Sequence, residues 1–490
     1  MGSSSPPPRS SVGSSSVATS APAFQGQIFL YMTTRTLFRL ATLGLGLSAA
    51  GPLTAQGLHV PYETFTLPNG LQVIVHEDHS VPVVSVNIWY HVGSGDERAG
   101  RTGFAHLFEH IMFMGSQHVP TGEFDKLLEA AGGDNNGSTT EDRTNYFEDA
   151  PANALPLMLW LDSDRMGYLV PEITAEKVDL QRGVVQNERR QSYENRPYGL
   201  ADENILKRLY PATHPYSWPV LGSMTDLSAA TLEDVRNFFR TYYTPNNATL
   251  TIAGDVTAGD ARQLAEKYFG DIPRGPVVTR PTPPPVQLTA DVYGTLEDRV
   301  QTPRVYNAWH TQKAFAPDDA TLDVLANVLA GGRSSRLYRR LVYDLQIASD
   351  AVAYQDGSRL DGKFVLWVTA RPGHTLGELQ RVVDEEVKKV ADAGPTLREV
   401  QRAQNTFEAQ FLSRMERVGS FGGKADQLGF YQYFVGTPDY FQRDLDRYLK
   451  VTPADVQRIA RSYLVDAHRV VLSVVPQGKP EQAVQPGVQP

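Results

Sequence analysis

The chain has 490 residues, 41% hydrophobic and 21% charged, the balance of an ordinary globular protein with room for about three domains. It contains no cysteine, which excludes a disulfide framework, a thiolate metal site and a cysteine nucleophile. The net charge of −9 argues against general nucleic-acid binding, and the body of the chain has no apolar run of about 18 residues, which excludes a multi-span membrane protein.

Residues 1–31 are rich in Ser, Pro, Gly and Ala and hold no acid, so nothing there can build a core. At Met32 the character changes. Arg35 and Arg39 form a short positive region, Leu40 to Ala50 is apolar, and small residues lead to Ala55. This is the pattern of a secretory signal peptide starting at Met32, with Ala55 a candidate cleavage point and Met32 the expected start. Removing residues 1–55 takes away Arg9, Arg35 and Arg39 and no acid, leaving a charge of −12. The mature protein is expected to be exported, periplasmic or secreted.

Beyond the leader, Leu71–Val75 and Val83–Val92 are β-rich runs, and Glu123–Ala131 and Leu155–Met166 have helical apolar spacing. Helices are expected at Glu176–Glu194, Ala320–Leu329, Leu376–Ala393 and Leu397–Met415. Strands and helices without strict alternation suggest an α+β architecture. Ile272 to Pro285 reads IPRGPVVTRPTPPP, a semi-rigid spacer between two long halves. The halves resemble each other. TLEDVRNFFRTYYTPNNATLTIAGDV, from Thr231, and TPADVQRIARSYLVDAHRVVLSVVP, from Thr452, pair at an offset of 221 residues as capped helix, short turn and β-branched strand. The expected divisions are a leader (1–55), a first domain (56–272), a Pro-rich linker (273–290), a second domain (291–478) and an unstructured tail (479–490).

The stretch GFAHLFEHIMFMGS, Gly103 to Ser116, carries the sharpest chemical signal. On a helix, His106 and His110 lie four apart on one face and can offer two imidazoles to one metal. Glu109 reaches the same side and can accept a proton from water. This is the His-x-x-Glu-His order, the inverse of His-Glu-x-x-His. A catalytic zinc usually has three protein ligands and an open position. Glu188 is the candidate for the third, with Glu194 the weaker alternative. The histidines at 76, 79, 91, 118, 214 and 310 read as structural.

The motif, its spacing to Glu188 and the stretches GGDNNGSTTEDRTNYFEDAP, LWLDSDRM, VVQNERRQSYENRPYG and HPYSWPVLGSMTDL resemble the M16 family of zinc metallopeptidases, the group of pitrilysin, insulin-degrading enzyme and the mitochondrial processing peptidase. The resemblance runs from Pro61 to Pro476. It implies two homologous α+β domains forming half of a clam-shell, one zinc ion per chain held by His106, His110 and Glu188, and Glu109 as general base. It also implies a metalloendopeptidase acting on peptides or small unfolded proteins. Asn135–Thr140 matches the edge strand that pairs with substrate, and Asn136 and Tyr146 are candidates either for substrate contact or for packing. Phe104 and Phe108 are expected to pack the helix.

Two departures stand out. The family usually has a glutamate seven residues before the third ligand, where this chain has Gln181, an amide able to hydrogen-bond a ligand. Active members also carry an arginine and a tyrosine, seven apart, in the C-terminal domain. Those positions fall here on Val342 and Ser349, while Arg340 and Tyr343 have the wrong spacing. The repeat offset places Asn327, Ala330 and Gly331 opposite the histidine motif, so the second half has no metal site of its own. The reading is therefore a subunit that needs a homologous partner carrying the Arg/Tyr pair, a heterodimer. The alternative is a non-catalytic scaffold or peptide-binding subunit.

Overall fold

The computed structural model describes residues 57–487, so the leader and the signal peptide lie outside the described residues. Among the described residues, no helix is long and apolar enough to cross a membrane.

The first half opens with strands β1 (Glu63–Thr66), β2 (Gln72–Glu77) and β3 (Val83–Tyr90). Helices α1 (Phe104–Ile111) and α2 (Glu123–Ala130) lead to the hairpin β4 (Asp134–Thr139) and β5 (Thr144–Pro151). Helices α3 (Leu155–Tyr168), α4 (Ala175–Arg189), α5 (Ala201–Leu209), α6 (Met224–Ala229) and α7 (Leu232–Tyr242) precede β6 (Ala248–Gly254) and α8 (Ala258–Phe269). The sheet order is β1-β2-β6-β3-β5-β4, with β4 on an edge and β2 and β6 the parallel pair.

The second half runs β7 (Val292–Asp298), β8 (Arg304–Thr311), α9 (Asp319–Ala330), β9 (Ala348–Gly357), β10 (Gly362–Ala370), α10 (Leu376–Ala393), α11 (Leu397–Met415), α12 (Lys424–Val435), α13 (Phe441–Leu449), α14 (Pro453–Ile459) and β11 (Val470–Pro476). Its sheet order is β7-β11-β8-β10-β9, with β7 and β11 parallel. Strand for strand this repeats β2-β6-β3-β5-β4, so the fold is a duplicated α+β unit with β1 added. The repeat extends to local chemistry. Thr231 and Asp234 form a capping box on α7, and Thr452 and Asp455 form the same box on α14. Each such cap contributes about 1 kcal/mol to its helix.

Each sheet packs its own helices into a core, around Ile88, Phe108, Leu159 and Phe239 in one half and around Trp309, Leu325, Val383 and Ile459 in the other. The other faces are covered reciprocally. Helix α5, from the first half, buries Ile205, Leu206 and Leu209 against Ala308, Val470 and Leu472 of the second sheet. Helix α12, from the second half, lies on β3 and β6 of the first sheet. There Tyr433 and Phe430 pack against Trp89.

The Pro-rich stretch is irregular but pinned. Gly275 donates to Asn246 Oδ1 at 2.7 Å, and Arg280 reaches Asn247 Oδ1 at 2.8 Å. Two expectations are corrected. The helix expected over 176–194 ends as α-helix at Arg189 and continues as a wider π turn over Arg190–Glu194. Arg189 at this junction is buried and pairs with Glu203 at 2.6 Å. The tail is not unstructured from 479, because Pro480–Gln482 forms a 3-10 turn and Ala483 packs into the second core.

Candidate metal centre

Helix α1 carries three of the four residues at the centre, and all eight of its residues are buried. Phe104 packs on Phe238, and Phe108 packs on Phe238, Phe239 and Tyr243. With these rings and Leu107 and Ile111 in the core, the helical period turns His106, Glu109 and His110 the other way. The helix start is fixed. Gly103 has φ 87°, and a Cβ there would lie 2.7 Å from the Leu221 carbonyl oxygen, so only glycine fits. Glu97 caps the helix from six residues upstream. Its carboxylate accepts from the Gly103 N–H at 2.9 Å and the Ala105 N–H at 2.7 Å, groups with no partner inside the helix.

Glu188 comes from α4, which packs beside α1. Thr174 caps the start of α4, and just past Glu188 the Arg189 guanidinium donates to the Gly222 carbonyl oxygen at 2.8 Å. The helix is thus held at both ends. Glu188 Oε2 lies 3.2 Å from His110 Nε2 and 3.7 Å from His106 Nε2. One donor atom from each of the three residues falls within 4.8 Å of the others.

This group fits a metal ion. His110 Nε2 and both Glu188 carboxylate oxygens are buried without a hydrogen-bond partner among the described residues. Orphaned buried polar atoms are costly unless something else satisfies them. The protonation states also suit ligation. Burial, reinforced by the neighbouring His110, pushes the His106 pKa down to about 3, so its imidazole is neutral. Burial works against the Glu188 carboxylate, but the two imidazoles more than offset it and hold its pKa below the usual value. Two imidazoles and a carboxylate are a donor set typical of zinc. Among the described residues no other group of this kind occurs.

Glu109 is buried beside the trio, and Thr139 Oγ1 on β4 donates to its Oε2 at 2.5 Å. Burial pushes its pKa up, while the Thr139 hydrogen bond works the other way. A carboxylate with raised proton affinity suits a general base near neutral pH.

The remaining expected residues divide. Gln181 donates to Met114 Sδ at 2.7 Å rather than to a metal-group residue. Glu194 stands 3.6 Å from Arg189 and is not one of the three converging donors. Tyr146, open between substrate contact and packing in the sequence, takes the packing role, fully buried and edge-on to Tyr90 and Phe113. Its period-2 place on β5 turns the ring inward. Asn136 sits half-buried on β4 with its Oδ1 accepting from the Gly137 N–H at 2.8 Å. Val342 packs partly into the second core, and Ser349 is exposed on the edge strand β9. Asn327, Ala330 and Gly331 lie at the end of α9 and bring no imidazole. The structural histidines are engaged elsewhere: His76 with the Pro61 carbonyl, His91 with Thr249, His118 with Asp164 and His310 with Asp361. Sequence reasoning missed Glu97 and Thr139. The first could have been sought as an acid preceding a helix that lacks a side-chain cap, the second by counting alternate residues along β4.

The family model described as "Insulinase (Peptidase family M16)" matches residues 72–217, and the one described as "Peptidase M16 inactive domain" matches 229–407. A protein named zinc protease PqqE, from Helicobacter pylori, is 30% identical over 441 residues, which is 89% of this chain and 96% of that one. The chain belongs to peptidase family M16. An uncharacterized zinc protease of Streptomyces coelicolor is 26% identical over 85% of this chain and 90% of its own. The crystal structure of a protease from Helicobacter pylori superposes with a TM-score of 0.77 at 27% identity, covering 86% of this chain and all of that one. Within an M16 chain, the asymmetry between halves has a plain physical content: one α1 helix bears the imidazoles, and its counterpart α9 bears none.

Proposed function

We propose that this M16 chain is a zinc-dependent endopeptidase subunit that hydrolyses peptides or small unfolded proteins after export. The observation that carries the reading is the convergence of His106, His110 and Glu188 beside Glu109, next to the free edge of β4. The names of its relatives, zinc proteases, point the same way.

His106, His110 and Glu188 would hold the ion, which when bound supplies a Lewis acid for the scissile carbonyl and lowers the pKa of water. Glu109 takes a proton from the attacking water as its oxygen bonds to the carbonyl carbon. As the C–N bond breaks, Glu109 passes that proton to the leaving amine. The edge of β4 pairs with the substrate backbone by strand addition, which reads main-chain groups and gives loose sequence preference.

The chain places valine and serine, at 342 and 349, where active members carry arginine and tyrosine. Loss of such oxyanion stabilisation typically costs about 10²–10³ in rate. A homologous subunit bearing the Arg/Tyr pair would supply it, making the working enzyme a heterodimer. The test is cleavage of an internally quenched peptide by the chain alone and by the chain mixed with such a subunit. Activity only in the mixture, abolished by Glu109→Gln, is the expected result. Strong Glu109-dependent activity from the chain alone would remove the heterodimer, and metal-free protein with no activity in either assay would favour a scaffold.

A further inference from the structure

We propose that Thr139 is a positioning residue for Glu109, its hydroxyl held in place by a turn that the second half of the molecule grips. The inference rests on the reading of Glu109 as the general base.

Alternation along β4 puts Gly137 and Thr139 on the face toward α1. Gly137 lies so close that a Cβ there would come 3.2 Å from Glu109 Cγ and 3.1 Å from the Tyr146 ring. The strand therefore meets the base through bare backbone at one position and a single hydroxyl at the next. Thr139 Oγ1 donates to Glu109 Oε2 at 2.5 Å, and Thr144 Oγ1 stands 3.5 Å behind it. The Thr144 hydroxyl is itself committed, donating to the Val92 carbonyl oxygen at 2.9 Å. One Glu109 oxygen is thereby tied, and the other is left to take the proton from water.

The hydroxyl does not drift, because the turn that follows it is fixed from several sides. The Ser94 N–H donates to the Thr140 carbonyl oxygen at 3.1 Å, and the Gly95 N–H to the Glu141 carbonyl oxygen at 2.7 Å. Asp142 accepts from the Tyr216 hydroxyl at 2.6 Å and from the Arg359 N–H at 2.7 Å. The Tyr433 hydroxyl donates to the Asp142 carbonyl oxygen at 3.1 Å. Arg359 and Tyr433 belong to the second half, so a half without metal ligands fixes the turn three residues beyond Thr139, and through Thr139 the orientation of the base. Positioning of this kind is what lets a catalytic group act without first reorganising.

Thr139→Val keeps the shape and removes the hydroxyl, and Thr139→Ser keeps the hydroxyl and removes the methyl. The full chain, assayed with its Arg/Tyr-bearing subunit, is expected to lose about 10–100-fold in kcat with Val, the worth of one charge-assisted hydrogen bond. KM and zinc content are expected to stay near wild type, and Ser to restore kcat to within about 3-fold. A crystal structure of the Val variant is expected to show the Glu109 carboxylate rotated. Wild-type kcat in the Val variant, failure of Ser to rescue, or zinc loss in the Val variant would each overturn the proposal. Glu109→Gln in parallel separates the two claims: if it stays active, the base assignment fails whatever Thr139 does.

Discussion

The indole N–H of Trp89, on β3 of the first sheet, donates to the carboxylate of Asp426, on α12 of the second half, at 2.8 Å. The same carboxylate oxygen accepts from Asn145 Nδ2 at 3.1 Å, and its other oxygen accepts from the Gly422 N–H at 2.8 Å. One buried acid thus ties together a strand, its neighbour and the helix laid across them. Asp426→Ala would orphan two buried side-chain donors, each costing about 1–3 kcal/mol. We expect that variant to lose at least about 2 kcal/mol of stability, read as a lower urea midpoint, while Asp426→Asn keeps an acceptor and loses less.

Metal binding and catalysis are expected to come apart by residue. Glu188→Gln and His110→Ala remove donors, so elemental analysis should find little zinc in protein that circular dichroism reports as folded. The affinity loss should exceed the about 10–100-fold that loss of a supporting partner costs. Glu109→Gln should retain zinc and lose about 10²–10⁴ in turnover. A chelator should abolish activity, and added zinc should restore it.

Stability should depend on pH through Asp323, whose hydrogen-bond donor is the Tyr448 hydroxyl at 2.9 Å. Burial, together with the charge of nearby Asp319, pushes its pKa up to about 8. The unfolded chain titrates this group near 3.9. Between those two values the folded protein holds a proton that the unfolded chain has released. The group's contribution is therefore complete below pH about 4 and is lost as pH rises toward 8, at a slope of at most about 1.4 kcal/mol per pH unit. Asp323→Asn carries no proton to lose. Its stability relative to wild type should climb between pH 4 and pH 8, measured by urea unfolding, and a constant difference would refute the assignment.

The parts of this molecule legible in the sequence were those written at one helical period. His106, Glu109 and His110 share a face by spacing alone, and the matching capped helices and strands that begin at Thr231 and Thr452 exposed the duplication. Tyr146 was harder, since an aromatic ring with a polar tip fits a substrate cleft or a core equally well and only the packing of β5 decides. Thr139 was hidden for a different reason. The stretch Asn135–Thr140 is polar throughout, so no hydrophobic alternation marks which side chains turn toward α1. The roofing roles of α5 and α12 could not be read locally, because the sheet that each covers lies far away along the chain.

That exchange of helices uncouples the continuity of the chain from the integrity of the particle. Each half surrenders one helix to roof the other's sheet, so neither sheet is finished by its own segment. The connecting stretch carries Val277 at 85% exposure, an open target for a protease. A single cut there should yield two fragments on a denaturing gel that still elute together under native conditions and still hold zinc. The same two fragments expressed apart should each present a bare apolar sheet face and aggregate. A nick in this chain would separate nothing, and a gene divided at the same place would have to produce both pieces in one compartment to produce either.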